Sequence, residues 1–392
     1  MPSKRVPVLR IVHYSDMHIA GVGYASQYAR MMAMSRRLPH YLRQKARQGF
    51  GIADTSALLE FIDFLADIAA DADWQGLPLW LVDTGDGTAF GDTSSLDDWK
   101  NNWSVQFRNA AGPNARQCVL YGNHDAWPGV YPLLSPHRMQ AQRNQLRGAP
   151  WFTETWPTSP LVASVNGQSE IQLYALNSVD HRLMAGIKAT GKVLPDRFWE
   201  SPAPPVGPTA CGGLRRAIAQ AAPAVFAPHF RILAMHYPVC DAATGKGPYE
   251  LLVNRRSFSD ETKPLPGHTE PAIHLLLAGH THSGYPALGL LPAGANSVAH
   301  APLELGQVQL VTPSLSQVNT LPAPPVGTAH AEQTLHDFPH QCTLLQFYAS
   351  LGAPLEITIE RLVAGRAVGG AFGYLPLVPG SQRITEEMSF VL

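Results

Sequence analysis

At 392 residues and 42.5 kDa the chain has room for one large domain or two medium ones, and 45% hydrophobic content supports a sizeable core. Only 15% of residues are charged and the formal net charge is −1, so no overall field attracts a polyanion or an anionic membrane, and no nucleic-acid partner is expected. The 34 prolines and 33 glycines suit a loop-rich chain better than a helical bundle, and the four dispersed cysteines form no C-x-x-C pair, which excludes a thiolate zinc or a disulfide framework. The N-terminal stretch 1–10 is basic but lacks an apolar block with a small-residue cleavage site, and no apolar run is long enough to span a bilayer. A soluble, cytoplasmic protein is the expectation.

Residues 8–14 alternate, are rich in β-branched side chains, and predict a first strand that runs into Ser15-Asp16-Met17-His18. Residues 21–51 carry Arg30, Arg36, Arg37, Arg43, Lys45 and Arg47 with no acid among them, interleaved with Met31, Met32, Met34, Leu38 and Leu42. This reads as a basic helical insertion broken at Pro39: a solvated face, a lid over an anionic substrate, or a subunit contact that would make a homo-oligomer. Asp54-Thr55-Ser56 offers N-cap residues for a helix over 58–70 with Leu59, Ile62, Phe64, Leu65 and Ile68 towards the core. A short buried strand at 79–82 ends in Thr84-Gly85-Asp86-Gly87. A helix over 97–110 carries Trp99, Trp103 and Phe107 on one side, and a strand at 117–121 ends in Gly122-Asn123-His124-Asp125.

Strands at 161–165 and 171–176 pair through an Asn166-Gly167 turn, the second running into Asn177-Ser178. Residues 186–208 read as mostly irregular, and 214–222 as a short helix. Further strands follow at 230–235, ending in His236; at 273–278, ending in Gly279-His280-Thr281-His282; and at 308–312. A Pro/His-rich loop fills 323–340, an antiparallel pair forms from 343–348 and 355–362, and an irregular tail begins at about 365. No composition break divides the chain, so a single domain over 1–392 is expected. Alternating strands and helices, then mainly strands, predict an α/β core of two mixed sheets in a layered sandwich flanked by helices.

Five strand ends carry potential metal ligands: Asp16-x-His18, Gly85-Asp86, Gly122-Asn123-His124-Asp125, His236, and Gly279-His280-x-His282. By itself an Asn-His-Asp stretch is equally a polar turn closing a strand. Five such clusters form a pattern, because ligands of open α/β sheets gather outside the carboxyl ends of strands. Carboxylates, imidazoles and one amide oxygen are hard-to-borderline donors, suited to Mn²⁺, Fe or Zn²⁺ rather than Cu(I) or Ca²⁺. Asp-x-His and His-x-His put both side chains on one side of an extended chain. Two metal ions clamp the attacking and leaving oxygens of a phosphoryl transfer.

In this order the five blocks resemble the calcineurin-like metallophosphoesterases, whose pattern D-x-H, GD, GNH[DE], H and GH-x-H is intact here. The resemblance covers about 8–282 and extends to the closing strands near 362. It implies a four-layered α/β/β/α sandwich of two mixed β-sheets flanked by helices, and a dinuclear metal-dependent phosphohydrolase. Carried over position by position, Asp16, His18 and His282 would hold a first metal, Asn123, His236 and His280 a second, and Asp86 would bridge them. A hydroxide between the metals would attack phosphorus in line. His124 would act on the transition state or the leaving oxygen, with Asp125 orienting its ring. Segments 173–178, 232–238 and 312–316 look closest to the cyclic-nucleotide phosphodiesterase-like branch, so a small phosphodiester is the expected substrate. A phosphomonoesterase or nucleotide pyrophosphatase would use the same metals, and a nuclease or a non-catalytic scaffold would share the fold. Asn177 and Ser178 are expected on the substrate side, and Asp83 and Asp92 flank the Gly85-Asp86 turn as candidates to orient ligands. His13 reads as structural, and His330, His336 and His340 as loop residues.

Overall fold

The computed structural model describes residues 5–22, 51–89, 91–120, 122–125, 160–176, 178–185, 188–191, 228–239, 262, 272–280, 300–302, 307–319, 340–350, 352, 354–366, 372–375 and 385–392. In chain order the first strands are β1 (Arg5–Tyr14), β2 (Gly51–Ala53), β3 (Leu79–Asp83), β4 (Ala115–Val119), β5 (Leu161–Ser164), β6 (Glu170–Ala175), β7 (Val179–Ala185) and β8 (Lys188–Gly191). They are followed by β9 (His229–Ala234), β10 (Leu275–Ala278), β11 (His300–Pro302), β12 (Val308–Val311) and β13 (Gln317–Asn319). The last four are β14 (Gln341–Ser350), β15 (Glu356–Arg366), β16 (Phe372–Tyr374) and β17 (Thr385–Val391). Helix α1 spans Thr55–Ala70; α2 (Thr93–Asp98) passes through a wider π-type turn at Trp99–Trp103 into α3 (Ser104–Ala110).

Two mixed sheets form the core. One has the order β16-β15-β14-β1-β3-β4, with β17 also pairing β15; the other runs β11-β12-β10-β9-β6-β5. Within the first, β1, β3 and β4 are parallel; within the second, β6, β9, β10 and β12 are parallel. Side chains of a strand alternate between its two faces, and here both faces are covered. From β1 and β3, Leu9, Ile11, Trp80 and Val82 meet Ile171, Phe230, Ile232, Leu275 and Leu277 of the second sheet. Their neighbours Val12, Tyr14, Leu79 and Leu81 pack instead against Leu58, Phe61, Leu65, Trp99 and Phe107 of the helices. Burial on both faces explains why these strands read as nearly unbroken apolar runs. Helix, sheet and sheet thus form three layers, and no second helical layer is found among the described residues.

Helix α1 starts where its cap predicts: Asp54 accepts a hydrogen bond from the Ser56 backbone N–H at 3.0 Å. Its buried stripe is Leu58, Phe61, Phe64, Leu65 and Ile68, whereas Leu59 is 51% exposed. The apolar positions admit two overlapping stripes at helical spacing, and docking against β1 and β3 selects the one that leaves Leu59 outside. The β5–β6 turn forms as expected, with Gly167 at φ +79° and the Asn166 side chain accepting from the Gln168 and Ser169 backbone N–H groups.

One expectation of irregular chain is corrected: the tail beyond 365 supplies β16 and β17, both paired antiparallel to β15. Within the mostly irregular segment 186–208, residues 188–191 form β8, paired with β7, and 186–187 and 192–208 lie outside the described residues. These are pairings made in the folded state by short or charged segments that carry little strand signal of their own. Of the basic insertion at 21–51, residues 23–50 lie outside the described residues, as do the predicted helix at 214–222 and most of the loop at 323–340. No helix among the described residues is long and apolar enough to cross a membrane.

Candidate metal centre

The carboxyl ends of β1, β3, β4, β9 and β10 converge on one edge of the sandwich. The loops after β1 and β3 are zipped together: the backbone N–H groups of Asp16, His18 and Ile19 donate to the carbonyls of Gly85, Asp86 and Gly87 at 2.8, 3.0 and 2.9 Å. Asp16, His18, Asp86 and His280 have φ between +54° and +70°, and they are the non-glycine residues with positive φ among those described. A left-handed conformation costs an L-residue about 1–3 kcal/mol and persists only where its surroundings enforce it. All four are residues expected to hold metal.

The neighbouring glycines have a steric cause. A Cβ on Gly122 would run into the carboxylate and backbone N of Asp86, and one on Gly279 into the Ser15 side chain and the Asp16 carboxylate. Each glycine lets one ligand-bearing turn lie directly on another.

Asp86, His236 and His280 each bring one donor atom within 4.8 Å of the other two, and so do His18, Asp86 and His124; Asp86 belongs to both groups, and all are buried. The His236 Nδ1 lies 2.8 Å from the Thr84 carbonyl. A neutral ring donating its Nδ1–H there turns a lone pair at Nε2 inward. That Nε2 lies 3.0 Å from Asn123 Oδ1, 3.1 Å from His280 Nδ1 and 3.4 Å from Asp86 Oδ2. His280 can supply one N–H, but the two oxygens remain acceptors. Lone pairs converging in a buried space repel unless a proton or a metal cation sits among them. Burial disfavours a charged His236, yet the Asp86 and Asp16 carboxylates outweigh it and lift the imidazole to about 9. Burial likewise opposes charge on Asp86, and the pull of His236, His124 and His18 overcomes it, holding the carboxyl well below its ordinary range. A metal ion would satisfy the same field with the same donors, so the residues present fit one.

Asp16 and His18, expected at the first metal, are fully buried with Nε2 of His18 4.0 Å from Asp16 Oδ1. The other carboxylate oxygen of Asp16 accepts from the His280 backbone N–H at 3.0 Å and so ties the β1 and β10 ends together. His282 and Asn177 lie outside the described residues.

His124 stands over this group, its ring centroid 4.5 Å from that of His18. Its Nδ1 is 2.8 Å from the Ala89 carbonyl, which leaves Nε2 to face the cluster. Asp125 therefore does not orient the His124 ring. Its carboxylate accepts instead from the backbone N–H groups of Gly87, Thr88 and Gly122 and from the Thr88 hydroxyl, at 3.2, 2.7, 2.9 and 2.8 Å. The chain turns the Asp125 side chain back under its own loop, where it binds the Asp86 turn to the Asn123-His124 turn. Burial and the Asp86 charge push its carboxyl up to about 7 against those donors.

Ser178 is also placed differently from its expected substrate-side position. It is fully buried, and its hydroxyl accepts from the His236 and Tyr237 backbone N–H groups at 3.1 and 2.9 Å, shaping the turn that carries His236. Asp92 caps α2, accepting from the Ser94 and Ser95 N–H groups, and Asp83 accepts from Gly85 N–H at 3.0 Å inside the β3 turn. Burial, with Asp125 and Asp16 nearby, holds the Asp83 carboxyl well above its ordinary value. His13 is buried against the Thr84 hydroxyl, as its structural reading requires. The carbonyls of Thr84 and Ala89 carry no sequence signal, since any residue supplies a carbonyl.

The family model for calcineurin-like phosphoesterases matches residues 9–284. The chain belongs to the calcineurin-like phosphoesterase family. Every described ligand position of this calcineurin-like phosphoesterase lies inside the matched span. No curated protein sequence is significantly similar to the chain. Among solved structures, the sulfate thiohydrolase SoxB of Thermus thermophilus is 14% identical with a TM-score of 0.38, over 91% of this chain and 57% of that one. A 5'-nucleotidase structure from Staphylococcus aureus is 11% identical with a TM-score of 0.36, over 93% of this chain and 52% of that one. The chain thus spans a little over half the length of each.

Proposed function

We propose that the protein hydrolyses a small phosphodiester at a dinuclear metal centre held by Asp16, His18 and His282 on one side and Asn123, His236 and His280 on the other, with Asp86 shared. The observation that carries this reading is the pair of buried donor groups that meet at Asp86. Oxygen and nitrogen donors of this kind suit Mn, Fe or Zn. When bound, such ions lower the pKa of a water from 15.7 towards about 7 and neutralise charge on phosphoryl oxygens.

The chain's own residues do the rest. The left-handed turns at Asp16, His18, Asp86 and His280 hold the donors ready without rearrangement. Thr84 and Ala89 carbonyls fix the His236 and His124 tautomers, and His124 Nε2 is placed to hold a proton for the leaving oxygen. Likeness of segments 173–178, 232–238 and 312–316 to the cyclic-nucleotide phosphodiesterase-like branch supports a diester over a monoester.

The test is hydrolysis of bis(p-nitrophenyl) phosphate and p-nitrophenyl phosphate by Mn²⁺-loaded protein, alongside His124→Ala and Asp86→Ala. Turnover of the diester, abolished in both variants, is expected. Faster monoester turnover would make it a phosphomonoesterase, and a fully loaded protein inert on both would overturn hydrolysis.

A further inference from the structure

We propose that Ser314 and Ser316 are positioning residues for the first metal, bracing the Asp16–His18 loop from behind. The proposal rests on the dinuclear reading above. After β12 the chain runs through Thr312-Pro313-Ser314, bends at Leu315-Ser316 and crosses beneath the end of β1. The Ser314 hydroxyl donates to the Asp16 carbonyl at 2.6 Å, and the Ser316 hydroxyl to the Met17 carbonyl at 2.8 Å. Between them the Leu315 backbone N–H donates to the Ser15 carbonyl at 2.9 Å, and Thr312 lies 3.4 Å from the His13 carbonyl. All three hydroxyl residues are fully buried.

The residue types follow from the geometry. The hydroxyls of 312, 314 and 316 all reach carbonyls of the β1 end and the loop that follows it. Leu315 is fully buried in the same core cluster as Phe61 and Leu344. Proline at 313 brings no N–H that would need an acceptor.

The loop needs such a brace because both of its ligands are left-handed. Its N–H groups are taken by the carbonyls of 85–87, as described above. Its carbonyls at 15, 16 and 17 point the opposite way and are taken by 314–316. The loop is thereby held on both edges, and neither Asp16 nor His18 can relax without breaking a buried hydrogen bond. The brace is itself anchored: the Ser316 carbonyl accepts from the Asp54 N–H at 2.6 Å, and β13 pairs β2 immediately afterwards. The hydroxyls act on the carbonyls of the loop that carries Asp16 and His18, so the effect is directed first to the metal those two residues would hold.

The experiment is Mn²⁺ and Co²⁺ titration of metal-free wild type, Ser314→Ala and Ser316→Ala, followed by calorimetry and by the visible absorption of bound Co²⁺. Urea midpoints of the metal-free forms are measured in parallel. Loss of a residue that orients a ligand typically weakens metal binding about 10–100-fold. In each variant one binding step is expected to weaken by that factor with a changed Co²⁺ spectrum, the other step to move less than about threefold, and Ser314→Thr to restore the spectrum. Equal weakening of both steps, two unchanged steps, or a metal-free variant that no longer folds would each overturn the proposal. A wild type that never binds a second ion would overturn the dinuclear reading instead.

Discussion

Asp125→Ala tests whether this carboxylate serves the fold of the site or the chemistry of His124. The carboxylate accepts from three buried backbone N–H groups, those of Gly87, Thr88 and Gly122, and from the Thr88 hydroxyl. The hydroxyl can turn elsewhere, but the three amides cannot. At about 1–3 kcal/mol for each buried donor left without a partner, truncation costs roughly 3–9 kcal/mol. A natural domain has only about 5–15 kcal/mol in total, so Asp125→Ala should be largely unfolded or close to it. Asp125→Asn keeps the shape and one acceptor oxygen, while its amide group faces two donors, so it should lose about half as much. Urea unfolding followed by the fluorescence of the eight tryptophans measures both. The reasoning fails if Asp125→Ala unfolds within about 1 kcal/mol of wild type while turnover collapses. That result would mean the carboxylate acts on the His124 ring after all.

Three further outcomes are expected. Gly122→Ala should lose both metal and stability, because its Cβ would meet the Asp86 carboxylate and the Asp86 backbone N; two ions per chain by elemental analysis would contradict this. Phe61→Ala should cost about 3–5 kcal/mol with metal stoichiometry unchanged, since Phe61 is fully buried among Tyr14, Phe64, Phe107 and Phe372; a cost under 1 kcal/mol would show that the outer layer is loosely packed. His13 and His274 are pushed down to about 3, chiefly by burial and also by Arg361 and Arg231. Folded protein therefore binds fewer protons than unfolded chain below pH ~6.5, and stability falls with pH from there towards 3 by about 1.4 kcal/mol per unit for each histidine. His274→Gln should make that slope shallower by one such increment, and an unchanged slope in urea midpoints between pH 6 and 4 would refute the assignment.

The sequence by itself determined the chemistry of the donors and their place in the chain. Strand alternation and N-cap residues located β1, β3, β6 and α1, and each carboxylate or imidazole at a strand end was visible because polar residues there break an apolar run. The glycines beside Asn123 and His280 were legible too, though not their reason, which is contact between turns far apart in sequence. Tertiary structure alone decided what the supporting residues touch. The Ser314 hydroxyl and the Asp16 carbonyl are 298 positions apart, and Ser178 and His236 are 58 apart. Such partners are set by which strands pair and in what register, and local pattern records neither. The same reason applies to Asp125: its neighbour in sequence is His124, but the reversal of the chain at Gly122 aims its carboxylate at Gly87 and Thr88. It applies again to β16 and β17, whose strand character comes from the edge of β15 they pair with rather than from their own residues.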